Sequence, residues 1–373
     1  MKIFNKLTII IIVWILFLVL LVVGADYTYR VIDTERNKVP IESEAKVAWE
    51  IKFDGEVVST PILDGNILYV QTTRSVSAID LSTRGIIWKA NITGTFANAP
   101  FLLNDGILYI NDKDFEISAI NASSGDVLWH NELNAGLNRK TVDIVFHDNR
   151  IYIAKYLGRI YSLDGVTGET KWIAFGTDRS TLWLYGKEND IFVVGDEKIF
   201  TFEASDGSLL FENISGVYPN AVFFEWEDKY LFGERGNKDP DAIRIFNDEV
   251  NRIELVDYLP ISGVNCAIAF GDELIVAGDG IVRYDSKNRS VVWDNKVGTN
   301  LTCPLIFKDR IYVRKNANDL YIYSLDSGEL IGGMDIYSDI YFVHDFSIYP
   351  FMVGDLVVVQ TDKNVLSAVR FSD

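Results

Sequence analysis

Short apolar runs separated by polar turns follow one another along most of the chain. The clearest run occurs eight times and is rich in β-branched and aromatic residues, which favours strands over helices. A tight turn such as Asp64-Gly65-Asn66 stands before each copy, so each run is predicted to be the second strand of a hairpin. The eight copies are Ile67–Val70, Ile107–Ile110, Ile151–Ala154, Ile191–Val194, Tyr230–Gly233, Leu274–Ala277, Ile311–Arg314 and Leu356–Val359.

A third strand and then a strand carrying tryptophan follow the second strand in most copies. The tryptophans and one phenylalanine stand at 49, 88, 129, 172 and 211, in steps of 39, 41, 43 and 39 residues, and Trp293 continues the pattern. A period near forty built from short strands is typical of propeller blades. Each aromatic side chain can bury a large apolar area when it stands on an outer strand, so these tryptophans are interpreted as structural.

The two ends of the pattern complement each other. The chain finishes after a third strand, at Leu366 to Phe371, and begins with a lone tryptophan strand, at Val47 to Phe53. The first strand is therefore expected to complete the last blade, which removes two open sheet edges. The sequence predicts an all-β, eight-bladed β-propeller of four-stranded blades over residues 47–373, with its fifth blade the weakest copy.

An uncharged, mostly apolar run of 19 residues, 7–25, precedes the propeller. It is long enough to cross a bilayer as one helix. Lys2 and Lys6 keep residues 1–6 cytoplasmic and place the propeller outside. We expect 7–25 to be a transmembrane signal-anchor and 26–46 a juxtamembrane stalk. The alternative is a cleaved signal peptide and a secreted protein.

The net charge bears on the choice of partner, and the two cysteines bear on covalent cross-linking. The net charge is −18, so a nucleic-acid partner is not expected, because phosphate binding requires a basic patch. Cys266 and Cys303 occupy the same repeat position in neighbouring blades, six residues before Asp272 and Asp309. Outside the cytoplasm they are candidates for a disulfide, and two buried thiols are the alternative.

Residues for catalysis are scarce. His130, His147 and His344 show no metal-ligand spacing, and neither a phosphate loop nor a nucleophile elbow occurs. The alternating acidic residues at 112–116 and 237–241 lack the glycine of a calcium loop and are interpreted as solvated turns. No catalytic residue, metal site or cofactor is predicted.

The combined phrase apolar-Pro, Asp-Gly, Leu-Tyr-Val, Ala-Ile-Asp, Ser/Thr-Gly, apolar-Trp is clearest at Pro61 to Trp88 and Pro100 to Trp129. It resembles the PQQ-like propeller repeat, which quinoprotein dehydrogenases and BamB-type envelope proteins share. The resemblance covers residues 47–371 and implies the fold rather than the function. The dehydrogenases of this family are longer and carry two adjacent cysteines at the quinone, whereas Cys266 and Cys303 are 37 residues apart. BamB-type proteins resemble the chain better in size but are usually lipoproteins.

The favoured function is a non-catalytic, membrane-anchored, extracytoplasmic propeller that binds an envelope or cell-surface protein, a peptide or a glycan. A PQQ-dependent quinoprotein dehydrogenase and a purely structural scaffold are the alternatives. Loops from strand two to three and from strand four to one open on the same face, where repeat proteins collect functional residues. The candidate partner-binding residues on that face are Arg235, Lys238, Asp239, Tyr337 and Tyr341.

Overall fold

The computed structural model describes fifteen segments of the chain, and strands are the only regular elements within them. No helix in the described segments is long and apolar enough to cross a membrane. The predicted anchor at 7–25 lies outside the described residues. The described segments are 45–92, 101–112, 116–133, 141–155, 158–176, 181–195, 198–214, 224–226, 229–234, 242–247, 252–258, 263–297, 301–315, 319–335 and 348–371.

The described strands form eight four-stranded sheets, and within each sheet neighbouring strands are antiparallel. The first sheet contains β2 (Ile62–Asp64), β3 (Ile67–Gln71), β4 (Ser75–Asp80) and β5 (Gly85–Asn91). The second contains β6 (Phe101–Asn104), β7 (Ile107–Asp112), β8 (Glu116–Asn121) and β9 (Val127–Asn131). The third contains β10 (Thr141–His147), β11 (Arg150–Lys155), β12 (Arg159–Asp164) and β13 (Thr170–Phe175). The fourth contains β14 (Thr181–Lys187), β15 (Asp190–Gly195), β16 (Lys198–Glu203) and β17 (Leu209–Ile214).

The remaining sheets repeat this order, except that the last one borrows a strand from the start of the chain. The fifth contains β18 (Phe224–Trp226), β19 (Lys229–Glu234), β20 (Ala242–Asn247) and β21 (Arg252–Tyr258). The sixth contains β22 (Cys266–Phe270), β23 (Glu273–Gly278), β24 (Gly280–Asp285) and β25 (Ser290–Asn295). The seventh contains β26 (Leu305–Phe307), β27 (Arg310–Lys315), β28 (Asp319–Ser324) and β29 (Leu330–Asp335). The eighth contains β30 (Phe351–Val353), β31 (Leu356–Asp362), β32 (Val365–Phe371) and β1 (Ala45–Lys52).

The pairing of β1 with β32 joins the two ends of the repeat, as the sequence predicts. Ala45 lies opposite Phe371 and Lys52 opposite Val365. Hydrogen bonds from Phe53 N to Asn364 O (2.8 Å) and from Val57 N to Lys363 O (2.7 Å) extend the pairing beyond the strand. The edge that β32 would otherwise expose is therefore covered.

Apolar cores lie in the seams between consecutive sheets. A cluster containing Trp49, Leu68, Val70, Val358 and Leu366 joins the eighth sheet to the first. Further clusters join the first sheet to the second, the second to the third, the third to the fourth, the sixth to the seventh and the seventh to the eighth. The second strands β3, β11 and β15 are buried on both faces because each contributes to two seams. The first strands β2, β6, β10 and β14 lie beside one another, which makes them the inner strands.

A bulge just before the tryptophan position shapes the outer strand in seven of the eight described sheets. In the first sheet Trp88 pairs with Ala78 and Ile86 pairs with Ile79, so Ile87 is displaced outward and is exposed. Bulges of this kind twist an edge strand and protect it from pairing with other chains. The displaced residues are Ala48, Ile87, Leu128, Lys171, Leu210, Val292 and Ile331.

The tryptophan after the bulge reaches across the seam to the next sheet. Trp129 Nε1 donates to the Gly165 carbonyl at 3.2 Å, and its indole lies over Gly168, where a Cβ atom would come within 2.4 Å of the ring. Gly168 also has a φ of 72°, so its turn requires glycine for both conformation and space. The same contact joins Trp88 to Gly125, Trp172 to Gly207 and Trp293 to Gly328. These four tryptophans are structural, as the sequence predicts.

Candidate partner-binding face

Each sheet presents two ends, which we name the upper rim and the lower rim. The upper rim carries the loops from strand two to strand three and the approach to strand one, for example Thr72–Arg74 and Val57–Thr60 in the first sheet. The lower rim carries the tight turns, for example Asp64–Asn66 and Leu81–Arg84. Buried polar side chains concentrate near the upper rim.

Four sheets that follow one another through the closing seam place a buried polar side chain at the same position near the upper rim. Gln71, Asn111, Arg314 and Gln360 are each at most 4 % exposed, and each pairs with the second residue of its third strand or the position equivalent to it. They belong to the first, second, seventh and eighth sheets. The third, fourth and sixth sheets carry Ala154, Val194 and Ala277 at this register.

These polar side chains fasten neighbouring backbone at the rim. Gln71 Nε2 donates to the Asn111 carbonyl at 3.1 Å, across the seam between the first and second sheets. Arg314 Nη1 donates to the Ile348 carbonyl at 3.1 Å, between the seventh and eighth sheets. Burial lowers the pKa of Arg314 to about 10, and nearby Asp319 opposes that change, so the guanidinium remains charged at neutral pH.

Two lysines occupy the next position on the third and seventh sheets. Lys155 is fully buried, and burial lowers its pKa to about 7. Lys315 is 7 % exposed; its Nζ donates to the Tyr321 hydroxyl at 3.5 Å and lies 5.7 Å from the centre of that ring. Basic side chains are therefore buried at this rim although the chain as a whole is strongly acidic.

The inner strands meet at a second shared position, where side chains tie one sheet to the next. Thr60 and Tyr349 each lie two residues before an inner strand, and Tyr349 N donates to Thr60 Oγ1 at 3.4 Å. Asp143 on β10 accepts hydrogen bonds from Ile144 N (2.9 Å) and from Leu184 N of the next sheet (2.8 Å). Burial raises the pKa of Asp143 to about 7 against the effect of these two donors.

The same position carries the two cysteines in the sixth and seventh sheets. Cys266 pairs with Ala277, as Asp143 pairs with Ala154. Cys303 lies two residues before β26. Their Cα atoms are 4.9 Å apart and their sulfurs are joined, so the structure links this seam by a disulfide. Cys266 is 2 % exposed and Cys303 is half-buried.

The five candidate partner-binding residues, Arg235, Lys238, Asp239, Tyr337 and Tyr341, all lie outside the described residues. Of the aromatic residues that follow them near the eighth sheet, Phe351 begins β30 and packs against the core of the closing seam. Burial raises the pKa of the Tyr349 hydroxyl. Among the described residues, no group of three His, Cys, Asp or Glu side chains is placed to hold a metal ion.

Sequence reasoning missed the buried polar residues at the upper rim and Asp143. Gln71 and Lys155 directly follow an apolar run, and Lys315 follows Arg314, so all three are polar residues that the sequence alone assigns to the start of a solvated loop. The signal lay in the repeat itself, since aligning the second strands brings Gln71, Asn111, Arg314 and Gln360 into one column.

A family profile described as outer membrane protein assembly factor BamB matches residues 72–216. BamB from Francisella tularensis is 23 % identical over 194 residues, which cover 51 % of this chain and only 39 % of that protein. BamB from Shewanella oneidensis is 22 % identical over 344 residues and 82 % of each chain.

Solved structures of similar fold include an outer membrane assembly factor and an enzyme. BamB from Moraxella catarrhalis superposes with a TM-score of 0.67 at 15 % identity, covering 88 % of this chain and 98 % of that one. The quinohemoprotein alcohol dehydrogenase from Comamonas testosteroni gives 0.63 at 11 % identity, covering 88 % and 76 %. At these identities the likeness shows the fold alone. The forty-residue repeat, the four-stranded sheets and the profile match over residues 72–216 agree with the PQQ-like β-propeller repeat.

Proposed function

We propose that this protein is a non-catalytic, eight-bladed propeller of the cell envelope that binds a protein partner through its upper rim. The observation that carries the proposal is the alignment with an outer membrane assembly factor over 82 % of both chains. The eight described sheets and the β1–β32 closure support eight blades in a closed ring. In this proposal the chain consists of a cytoplasmic N-terminus at 1–6, a transmembrane signal-anchor at 7–25, a juxtamembrane stalk at 26–46 and an extracytoplasmic propeller at 47–373.

The alternative, a quinone-dependent dehydrogenase, is disfavoured by the two cysteines, which come from different sheets rather than from adjacent positions.

The partner-binding face is the upper rim. Its loops include the polar stretch with Arg235, Lys238 and Asp239 and the aromatic stretch with Tyr337 and Tyr341. Aromatic and arginine side chains are the usual anchors of protein interfaces. The side chains of Gln71 and Arg314 support the upper rim, because their hydrogen bonds hold neighbouring sheets together directly beneath it.

Site-specific photo-crosslinking of the full-length chain in its own membrane tests this face. A crosslinking residue at 235 or 337 is expected to yield a discrete adduct with an envelope protein. The matched controls are positions 64 and 309, whose aspartates are exposed on the lower rim. Adducts from 64 and 309 together with none from 235 and 337 would show that the opposite rim binds.

Two separate experiments test whether the protein lacks quinone chemistry and whether it keeps its membrane anchor. Full-length protein incubated with pyrroloquinoline quinone and Ca²⁺ is expected to bind no stoichiometric cofactor and to reduce no dye with alcohols or sugars. Dye-linked turnover at an enzymatic rate would favour the dehydrogenase. Sequencing of the mature N-terminus is expected to start at or near Met1, and a start near Ala25 would indicate a secreted protein.

A further inference from the structure

We propose that the Cys266–Cys303 disulfide is a thiol–disulfide exchange site, at which a dithiol reductant of the envelope releases the inner end of the seam between the sixth and seventh sheets. The proposal does not depend on the identity of the binding partner, because its readout is local opening of this seam.

The first argument is position. The inner-strand level at which the two cysteines lie is the level at which other seams are tied by hydrogen bonds. Tyr349 N and Thr60 Oγ1 tie the seam between the eighth and first sheets, and Asp143 and Leu184 N tie the seam between the third and fourth. Hydrogen bonds of this kind each contribute about 1 kcal/mol and reform spontaneously. The disulfide replaces them with a tie that only electron transfer can open.

The second argument is what remains when the disulfide is removed. The outer half of the seam is held independently, since Trp293 Nε1 and Arg283 Nη1 both donate to the Leu325 carbonyl, at 3.1 and 2.9 Å. An apolar cluster that includes Ile275 and Tyr321 fills the middle of the seam. Reduction therefore leaves the ring intact and frees only its inner end.

The inner end carries few other ties. Leu301 N donates to the Gly278 carbonyl at 2.9 Å, and the Leu301 carbonyl accepts from Asn265 Nδ2 at 3.1 Å. Both hydrogen bonds cross the seam at one residue, two positions before Cys303. The amide of Leu301, which is fully buried, thus reports directly whether the seam is closed.

The third argument is access. Cys266 is 2 % exposed, whereas Cys303 is half-buried, so an incoming thiolate reaches the Cys303 sulfur first. The bond from the reductant to Cys303 Sγ forms as the Sγ–Sγ bond breaks, and Cys266 leaves as a thiolate that takes a proton. The second thiol of the reductant then attacks the mixed disulfide. The reductant ends as a disulfide and the chain gains two electrons and two protons as two thiols.

The test is native-state reduction of the full-length chain, followed by alkylation and amide hydrogen exchange. Dithiothreitol without denaturant is expected to expose two alkylatable thiols and to speed exchange at Leu301 at least tenfold. Exchange in β14, where Leu184 N bonds to Asp143 across another seam, serves as the internal control and is expected to stay unchanged. Air oxidation should restore the slow rate.

Two further measurements complete the test. When the mixed disulfide with a monothiol such as glutathione is trapped, the adduct is expected on Cys303. An adduct on Cys266 would contradict the assigned direction of attack. The Cys266→Ser/Cys303→Ser chain is expected to show the fast exchange at Leu301 in oxidising and reducing buffers alike. Failure of dithiothreitol to release thiols from the native wild-type chain, or release with unchanged exchange at Leu301, would overturn the proposal.

Discussion

Replacing Gly168 by alanine tests whether the tryptophan that docks across each seam determines the glycine in the next sheet. Two penalties combine at this position. Alanine at a φ of 72° costs about 1–2 kcal/mol of backbone energy. Its Cβ would stand 2.4 Å from the Trp129 ring, and overpacking of this kind costs about 1–3 kcal/mol more. Gly168→Ala is therefore expected to lower the free energy of unfolding by about 2–5 kcal/mol.

Gly106 provides a matched control within the same protein. Its φ is 74°, yet no atom lies within 4 Å of the place where a Cβ would stand. Gly106→Ala should therefore show the backbone penalty alone, about 1–2 kcal/mol. The assay is equilibrium urea unfolding followed by tryptophan fluorescence and, independently, by circular dichroism.

A double-mutant cycle separates the clash from the backbone strain. In a Trp129→Leu background the indole is absent, so Gly168→Ala should cost no more than Gly106→Ala. The coupling between positions 129 and 168 is then about 1–3 kcal/mol. Equal losses for Gly168→Ala and Gly106→Ala in the wild-type background would refute the reasoning, because the steric term would then be absent.

Three further predictions concern closure and ionisation. Trp49→Ala, in the strand that completes the eighth sheet, should lower the free energy of unfolding by about 3–5 kcal/mol. Val47→Ala, half exposed on the same strand, should cost under about 1 kcal/mol, and equal losses would count against closure through β1. The raised pKa of Asp143 contributes stability that is fully present below about pH 4 and is lost as the pH rises to about 7, by at most roughly 4 kcal/mol. A pH profile of urea midpoints that Asp143→Asn leaves unchanged would contradict this. The lowered pKa of Lys155 has the opposite effect: its contribution to stability falls as the pH drops from about 10 towards 7. Lys155→Met should therefore reduce the change in urea midpoint over this pH range.

The sequence predicts the repeat far better than it predicts the chemistry between repeats. The second strands of the described sheets lie where the sequence predicts them, because their signals are local: a turn dipeptide, then an apolar run. The outward bulge at Ile87 was not predicted, since nothing in the phrase Ile86-Ile87-Trp88 marks which aliphatic residue leaves the ladder.

Contacts across the seams could not be predicted for a different reason. Asp143 binds the amide of Leu184, 41 residues away, and that contact depends on the rotation between two sheets. Gln71 likewise finds its partner at Asn111, in the next repeat. Periodicity identifies which residues are equivalent, but the partner of each depends on how one sheet sits against the next. The predicted partner-binding residues remain predictions.

The pairing of the first strand with the last also sets the order of events during synthesis. Glu50 receives its hydrogen bond from Ser367, a separation of 317 residues. At about 5–20 residues per second, the ribosome needs roughly 15–60 s to make the intervening chain. Throughout that interval β1 has no partner strand, and its apolar and charged edge is open to other nascent chains. β1 completes its sheet only after Val365–Phe371 has emerged, so closure through β1 is the last step of folding during synthesis.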